Sequence, residues 1–234
     1  MRRYEPVIAF GRWVSLALAL LALSPTAGGG SGHSSSQHPR ERRSLEPLRL
    51  DKGVFLVAKP RIAGGPFSRS VVLLLAHGES GTLGLIVNRA TDIPLSQVLP
   101  DLNAADKESH SLFFGGPVTL SNLIFLFRSA EPPKRAEHVM GDVYYSGDRE
   151  ALEELLKRKK RAEELRLYIG HSGWAPGQLQ REIARGDWQL ARADAKTVFH
   201  NDPDTIWPDL IERERPTLVA DGRPLRPDRS HAVP

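Results

Sequence analysis

The sequence predicts a mixed α/β domain spanning residues 50–213 of a 234-residue chain. Three observations carry this expectation. Short runs rich in valine and leucine recur between Gly and Pro residues, as strands buried on both faces do. One stretch, from Asp148 to about Leu165, places its apolar residues at helical spacing instead. Shorter helical segments alternate with the later strands, near Pro176 and after Ala195.

Taken in order, "GVFLVAK" (Gly53 to Lys59) and "VVLLLAH" (Val71 to His77) are apolar strands, and "GLIVN" (Gly84 to Asn88) is a third. "HGESGTLG" joins the last two through turn residues. "PLSQVLPDL" from Pro94 reads as a short helix, with Pro94 in its first turn and Asp92 as a nearby cap. "SLFFGGPV", "LIFLF" and "VYYSG" add strands. In the stretch from Asp148, Leu152, Leu155, Leu156, Ala162 and Leu165 share helical spacing, with acidic residues in the first turn. "LRLYI" is then a strand, Pro176 to Arg185 a helix and "WQLA" a last strand. Two short helices broken at Asp202-Pro203 end the domain.

Charge and cysteine usage narrow the function classes. With no cysteine in the chain, disulfides, thiolate metal sites and cysteine nucleophiles are excluded. The formal charge of +4 belongs to residues 1–52, which hold eight Lys/Arg against four Asp/Glu; residues 53–234 hold 24 of each. A neutral domain argues against a strongly basic nucleic-acid binder.

Residues 1–27 read as a signal peptide or membrane-targeting leader. Arg2, Arg3 and Arg12 precede "WVSLALALLAL" (Trp13 to Leu23), which is too short for a span of about 20 residues but suits the apolar core of a secretory signal. Pro25 follows the best small-residue cleavage pattern and would hinder cutting. On this reading the protein is exported or membrane-tethered on the periplasmic side; on the alternative, a misassigned upstream start, it is cytoplasmic. Residues 28–49 are a Gly/Ser/Pro-rich linker with too little apolar surface to offset its ordering entropy. Residues 214–234 form a loose Pro- and Arg-rich tail.

Four stretches occur together that resemble one known family. "FLVAKPRI", "PFSRSVVLLLAHGESGTLGLIVNRATDIPLSQVL", "FFGGPV" and "YIGHSGWAPGQLQREIARGDWQL" follow the order of the YqgE/AlgH family, over about Leu50 to Ile211. The resemblance implies an α+β fold with a coiled, bifurcated sheet and helices packed on it. It supplies no settled activity; one branch is named as a regulator of alginate synthesis, in bacteria. Two positions depart from the family pattern. Gly65 stands before a proline where members carry an acidic residue, and Ala90 stands where they carry a proline. A ligand or partner needing that carboxylate would be lost here.

"IGHSGWAPGQLQREI" (Ile169 to Ile183) is the stretch that invites a catalytic reading. A nucleophile elbow needs G-x-S-x-G, because both glycines relieve crowding around the strained serine. Here Gly173 comes one position early, and Trp174 takes the required place. His171 is adjacent to Ser172 on a strand, where neighbouring side chains point to opposite faces, so it is poorly placed as a base. The same residues serve architecture better. Gly170 and Gly173 allow a tight turn. Trp174, Gln178 and Glu182 fall at four-residue intervals; the expected arrangement has Trp174 plugging the core edge while Gln178 and Glu182 bind loop backbone. The functional counterpart is a concave site with Trp174 as floor and His171, Gln178 and Glu182 as polar groups.

The other candidates are weaker. Asn88 can tolerate a left-handed turn and Arg89 can hold an anion, against a plain strand cap with a solvated arginine. Gly115-Gly116-Pro117 and the glycines at 78, 81 and 84 miss the phosphate-binding pattern. "KRKKR" (Lys157 to Arg161) has a glutamate four residues from most of its members, as on a solvated helix. No His/Asp/Glu group has metal-ligand spacing, and no cofactor is expected. The leading expectation is therefore a non-catalytic regulatory domain that binds a protein or small-molecule partner. Nucleic acid is an unlikely partner, and the membrane is met only through the leader. A DNA-associated regulator and a hydrolase using Ser172 are the alternatives.

Overall fold

The computed structural model describes residues 48–102, 110–158, 164–213, 219–220 and 223–224. The expected leader and linker, and most of the expected tail, lie outside the described residues. Ten strands form one sheet: β1 (Val54–Ala58), β2 (Val71–Gly78), β3 (Gly81–Ile86), β4 (Ala90–Pro94), β5 (Ser111–Phe114), β6 (Val118–Arg128), β7 (Glu137–Met140), β8 (Val143–Ser146), β9 (Leu165–Trp174) and β10 (Trp188–Arg192). The main path runs β10-β1-β2-β3-β9-β6-β8-β7, with β4 paired to β5 and β5 paired to β9. The helices are α1 (Leu95–Val98), α2 (Arg149–Lys157), α3 (Gln178–Ala184), α4 (Ala195–Val198) and α5 (Ile206–Arg213).

Period-two alternation divides the strand residues between three apolar clusters. Phe55, Val57, Val71, Leu73, Leu75, Leu85, Leu126 and Tyr168 fill one cluster, closed by Val198, Phe199, Ile206 and Leu210 from the C-terminal helical segments. On the alternate positions, Leu56, Ala58, Val72, Leu74 and Ile86 pack with Leu179 of α3, Trp174 and Trp188. Phe125, Phe127, Leu165 and Leu167 instead pack with Leu152, Leu155 and Leu156 of α2. The sheet is thus covered on one side by the C-terminal segments and on the other by two separate helices.

Strand β9 is where the sheet bifurcates. Along one edge it pairs first with β5, in parallel register from Leu112↔Leu167 to Phe114↔Ile169. Along that edge it then pairs with β3, antiparallel from Gly84↔Ser172 to Thr82↔Trp174. Its other edge carries β6 from Phe127↔Leu165 to Val118↔His171. The change of partner falls at Gly170, and the apolar phase changes with it. Leu165, Leu167 and Ile169 pack beside α2, whereas Trp174, at an even position, packs beside α3.

Several boundaries differ from the sequence expectation. Asp92 is not a helix cap: it lies in β4, and Pro94 is the N-cap residue of α1 without a side-chain hydrogen bond. A proline cannot donate to a ladder but is tolerated at a strand's end, which is where the pattern misled. The long helix from Asp148 starts as expected, with the Asp148 carboxylate accepting from Ala151 N–H at 3.0 Å. Its last assigned residue is Lys157, and Leu165 belongs to β9, not to the helix. Ala162 lies outside the described residues. The segment Pro176 to Arg185 becomes a turn followed by α3, whose N-cap Gly177 has φ 73°. Within the expected tail, Val219–Ala220 and Arg223–Pro224 pair as a two-residue ladder. The departures Gly65 and Ala90 are both exposed.

Candidate functional site

The glycine motifs at 115–116 and 170–173, far apart in sequence, meet at the fork. Gly115 sits in its crotch. Its N–H donates to Ile169 O at 2.9 Å, and its carbonyl accepts from Ile86 N–H at 2.9 Å. The Ser172 hydroxyl donates to the same carbonyl at 3.1 Å. Ser172 is fully buried and thus ties β9 to the segment between β5 and β6. Gly116 and Gly170 pass each other so closely that a Cβ on Gly170 would lie 2.4 Å from Gly116 O. No other residue fits two backbones at that separation.

His171 lies beside this crossing. It is 8% exposed, and its Nδ1 is buried with no hydrogen-bond partner among the described residues. Burial lowers its pKa below the ordinary imidazole value of 6.5. The neutral form is therefore favoured in the folded state, and protonation favours the unfolded chain. Stability should rise with pH up to the unfolded-state value near 6.5 and fall as pH drops below it. Urea unfolding of the wild type and of His171→Gln between pH 5 and 8 checks this. The variant should lose that part of the pH dependence, and an unchanged slope would exclude His171 as its source.

Trp174, Gln178 and Glu182 converge as their spacing suggested, but on each other. Glu182 Oε2 accepts from the indole N–H of Trp174 at 2.8 Å and of Trp188 at 2.9 Å. Its Oε1 accepts from the Gln178 amide at 3.0 Å. The Gln178 carbonyl accepts from Ala175 N–H at 3.1 Å, closing the turn as expected. Glu182, expected on loop backbone, holds two indoles instead. Phe67 stacks on Trp174 with centroids 5.8 Å apart and meets Trp188 edge-on at 5.5 Å. Each of these polar side-chain atoms has a partner, so the group braces α3 against the sheet.

Asn88 and Arg89 are also spent on backbone. Asn88 Oδ1 accepts from Val71 N–H at 2.8 Å while its amide donates to Arg69 O at 3.0 Å. Arg89 donates to Ser68 O at 2.7 Å. They pin the segment that enters β2, where Arg69 has φ 53° and lays its guanidinium 4.9 Å over the Trp207 ring. In the basic run, Arg158 pairs with Glu154, and Glu153 pairs with Arg149 rather than with Lys157. Lys159 to Arg161 lie outside the described residues. Among the described residues no group of three His, Asp or Glu is placed to hold a metal, and no helix is long and apolar enough to cross a membrane.

The structure adds Arg166, which the sequence reading passed over inside "LRLYI". Arg166 is nearly buried and donates to Val198 O at 2.9 Å and to His200 O, with its guanidinium 4.6 Å from the Phe113 ring centroid. It lies at the carboxyl end of α4, where a helix dipole favours a cation. Desolvation lowers its pKa, and the neighbouring Tyr168, itself fully buried, has its pKa raised by the same cause. An arginine inside an otherwise apolar strand was the available signal.

One surface remains open at the fork. Pro117, Val118, Thr119, Leu120 and Ser121 are all exposed, as are Gly173, Ala175, Pro176 and Gly177 across the crossing. The register jump from Val118↔His171 to Leu123↔Ile169 sets Thr119 to Asn122 opposite Gly170 alone, a β-bulge. Thr119 holds φ 47° there, strained for a β-branched residue.

A family model described as AlgH-like matches residues 55–218. A UPF0301 protein of Chlamydia pneumoniae is 33% identical over 159 residues, covering 68% of this chain and 84% of the relative. One from Cytophaga hutchinsonii is 32% identical over 164 residues, covering 69% and 88%. Among solved structures, protein DIP2367 from Corynebacterium diphtheriae superposes with a TM-score of 0.59 at 26% identity, covering 75% of this chain and 93% of that one. The solution structure of the AlgH protein from Pseudomonas aeruginosa gives 0.61 at 24% identity, covering 72% and 92%. The chain thus shares its overall fold with these proteins, and it is a member of the AlgH-like family, the YqgE/AlgH group its motifs resemble.

Proposed function

We propose that this protein is a non-catalytic regulatory domain that binds a partner through the uncharged surface at the sheet fork. The observation that carries the reading is how the candidate residues are used. Ser172 is buried on a carbonyl, the Trp174–Gln178–Glu182 group closes on itself, and Asn88 and Arg89 hold backbone. The bulge from Pro117 to Ser121 is what stays open. A serine nucleophile needs an oriented base and room for a substrate, and a hydroxyl committed to Gly115 O offers neither. The DNA-associated alternative would need a basic face, and the domain carries as many acids as bases.

Ser172→Ala separates these readings. Gly115 O keeps its bond from Ile86 N–H, so the loss is one hydrogen bond, about 0.5–1.5 kcal/mol. The variant is expected to support the same cellular phenotype as wild type, while generic esters are not turned over by either protein. Loss of phenotype in a variant that unfolds like wild type would favour the hydrolase. Retention of duplex DNA at about 0.15 M salt would favour the nucleic-acid reading.

A further inference from the structure

We propose that Arg166 and Tyr168 hold a small monovalent anion, a halide or an ion of similar size, beneath the C-terminal helical segments. This site is separate from the fork surface and independent of the reading above. Arg166 and Tyr168 are 5% and 0% exposed. They stand two residues apart on β9, so they share one face of the strand, the face closed by Val198 and Phe199. Both meet the same ring: the guanidinium carbon lies 4.6 Å from the Phe113 centroid and the Tyr168 ring 5.5 Å from it. Two donors of this pair, Arg166 Nε–H and Tyr168 O–H, have no hydrogen-bond partner among the described residues. Buried donors of this kind are satisfied in folded proteins, by protein, water or a bound ion.

Charge selects an anion over water. The other two nitrogens of Arg166 donate to the neutral carbonyls of Val198 and His200. None of the ion pairs among the described residues includes Arg166. An arginine keeps its charge, and a buried charge without a counter-ion is costly. Carbonyl dipoles and the Phe113 ring face offset only part of that cost. A water would accept from both free donors and leave the charge standing. An anion accepts from both and neutralises it, through the stronger, charge-assisted bonds. Burial raises the Tyr168 pKa, so the phenol keeps the proton it donates. Size limits the choice further. Ile124 and Leu126 lie across from Tyr168 and Arg166 on β6 and belong with Val198 to one apolar cluster, which leaves no place for a hydrated polyvalent ion. Held there, the ion ties β9 to the segment that closes the core.

Chloride is the probe. Urea unfolding of the full chain is compared in sodium chloride and sodium gluconate at equal ionic strength and neutral pH, gluconate being too large for the site. With a dissociation constant of roughly 1 mM, about 0.1 M chloride should lower the unfolding equilibrium constant about 100-fold relative to gluconate. The chloride NMR line should broaden in the presence of the folded protein. Tyr168→Phe, which keeps the ring and loses one donor, should weaken chloride binding by about 10–100-fold. Arg166→Met should abolish the chloride response. Arg149→Gln is the control, because Arg149 is an exposed arginine paired with Glu153 on α2. It should leave the chloride affinity within about two-fold, as expected of a distant site. Equal stability of the wild type in the two salts, with an unbroadened chloride line, overturns the inference in favour of a bound water. So does a Tyr168→Phe protein with the wild-type chloride response, or equal weakening by Arg149→Gln. Should Arg166→Met fail to fold, Tyr168→Phe decides.

Discussion

Gly170→Ala is expected to destabilise the fold by about 2–5 kcal/mol, whereas Gly173→Ala, three residues on in the same motif, should change it by less than about 1 kcal/mol. The added methyl at Gly170 would stand 2.4 Å from Gly116 O, 2.9 Å from Leu120 Cδ2 and 3.1 Å from Val118 O. The first of these is backbone and cannot swing aside. The backbone at Gly170 also has φ 67°, which costs an L-residue roughly 1–2 kcal/mol before any clash. Overpacking adds about 1–3 kcal/mol. At Gly173 the nearest atoms to the new Cβ are 3.9 Å away, ordinary contact distance, and the residue is exposed. Alanine there even restricts the unfolded chain slightly. Urea midpoints of the two variants decide the matter. If they coincide, β9 and the segment after β5 separate easily, and the fork is not the fixed point described above.

That contrast also marks what the sequence could reveal. The apolar strands β1, β2 and β3 were legible because their valine and leucine runs are buried on both faces, a signal that needs no knowledge of the partner strand. The helix α2 was legible at its start, where Asp148 caps it, but not at its end. Leu165 continues the helical spacing yet pairs with Phe127 in the sheet, so tertiary pairing overrode a local pattern. The short strands β4 and β7 were missed because charged or exposed residues interrupt them.

Within the site, "GHSG" and "GGP" each read as backbone devices. That they serve one crossing is a fact of topology, visible only once β5 runs parallel to β9. Trp174, Gln178 and Glu182 were found by spacing, but the spacing could not include Trp188, which approaches from β10 and takes the second bond to Glu182. Arg166 was hidden for a similar reason: its acceptors, Val198 O and His200 O, are more than thirty residues away.

The Trp174–Glu182 pair offers the second large effect. Trp174→Ala should cost about 3–5 kcal/mol, since the ring is nearly buried against Phe67, Trp188 and Leu179 and its removal leaves a cavity. Trp174→Phe keeps part of that contact but loses the N–H and some ring volume, so about 1–3 kcal/mol is expected. Glu182→Ala acts from the other side, leaving both indole N–H groups and the Gln178 amide without their acceptor, at about 2–4 kcal/mol. Once Glu182 is gone, part of what Trp174 contributed is gone too. The double variant Trp174→Phe/Glu182→Ala should therefore be less destabilised than the two single changes added together, by about 1 kcal/mol. Chemical denaturation of the four proteins measures this coupling directly. Strict additivity would mean that the two side chains stabilise the fold independently. In that case the carboxylate is free to face a ligand, and the concave site with Trp174 as its floor becomes the better account of this stretch.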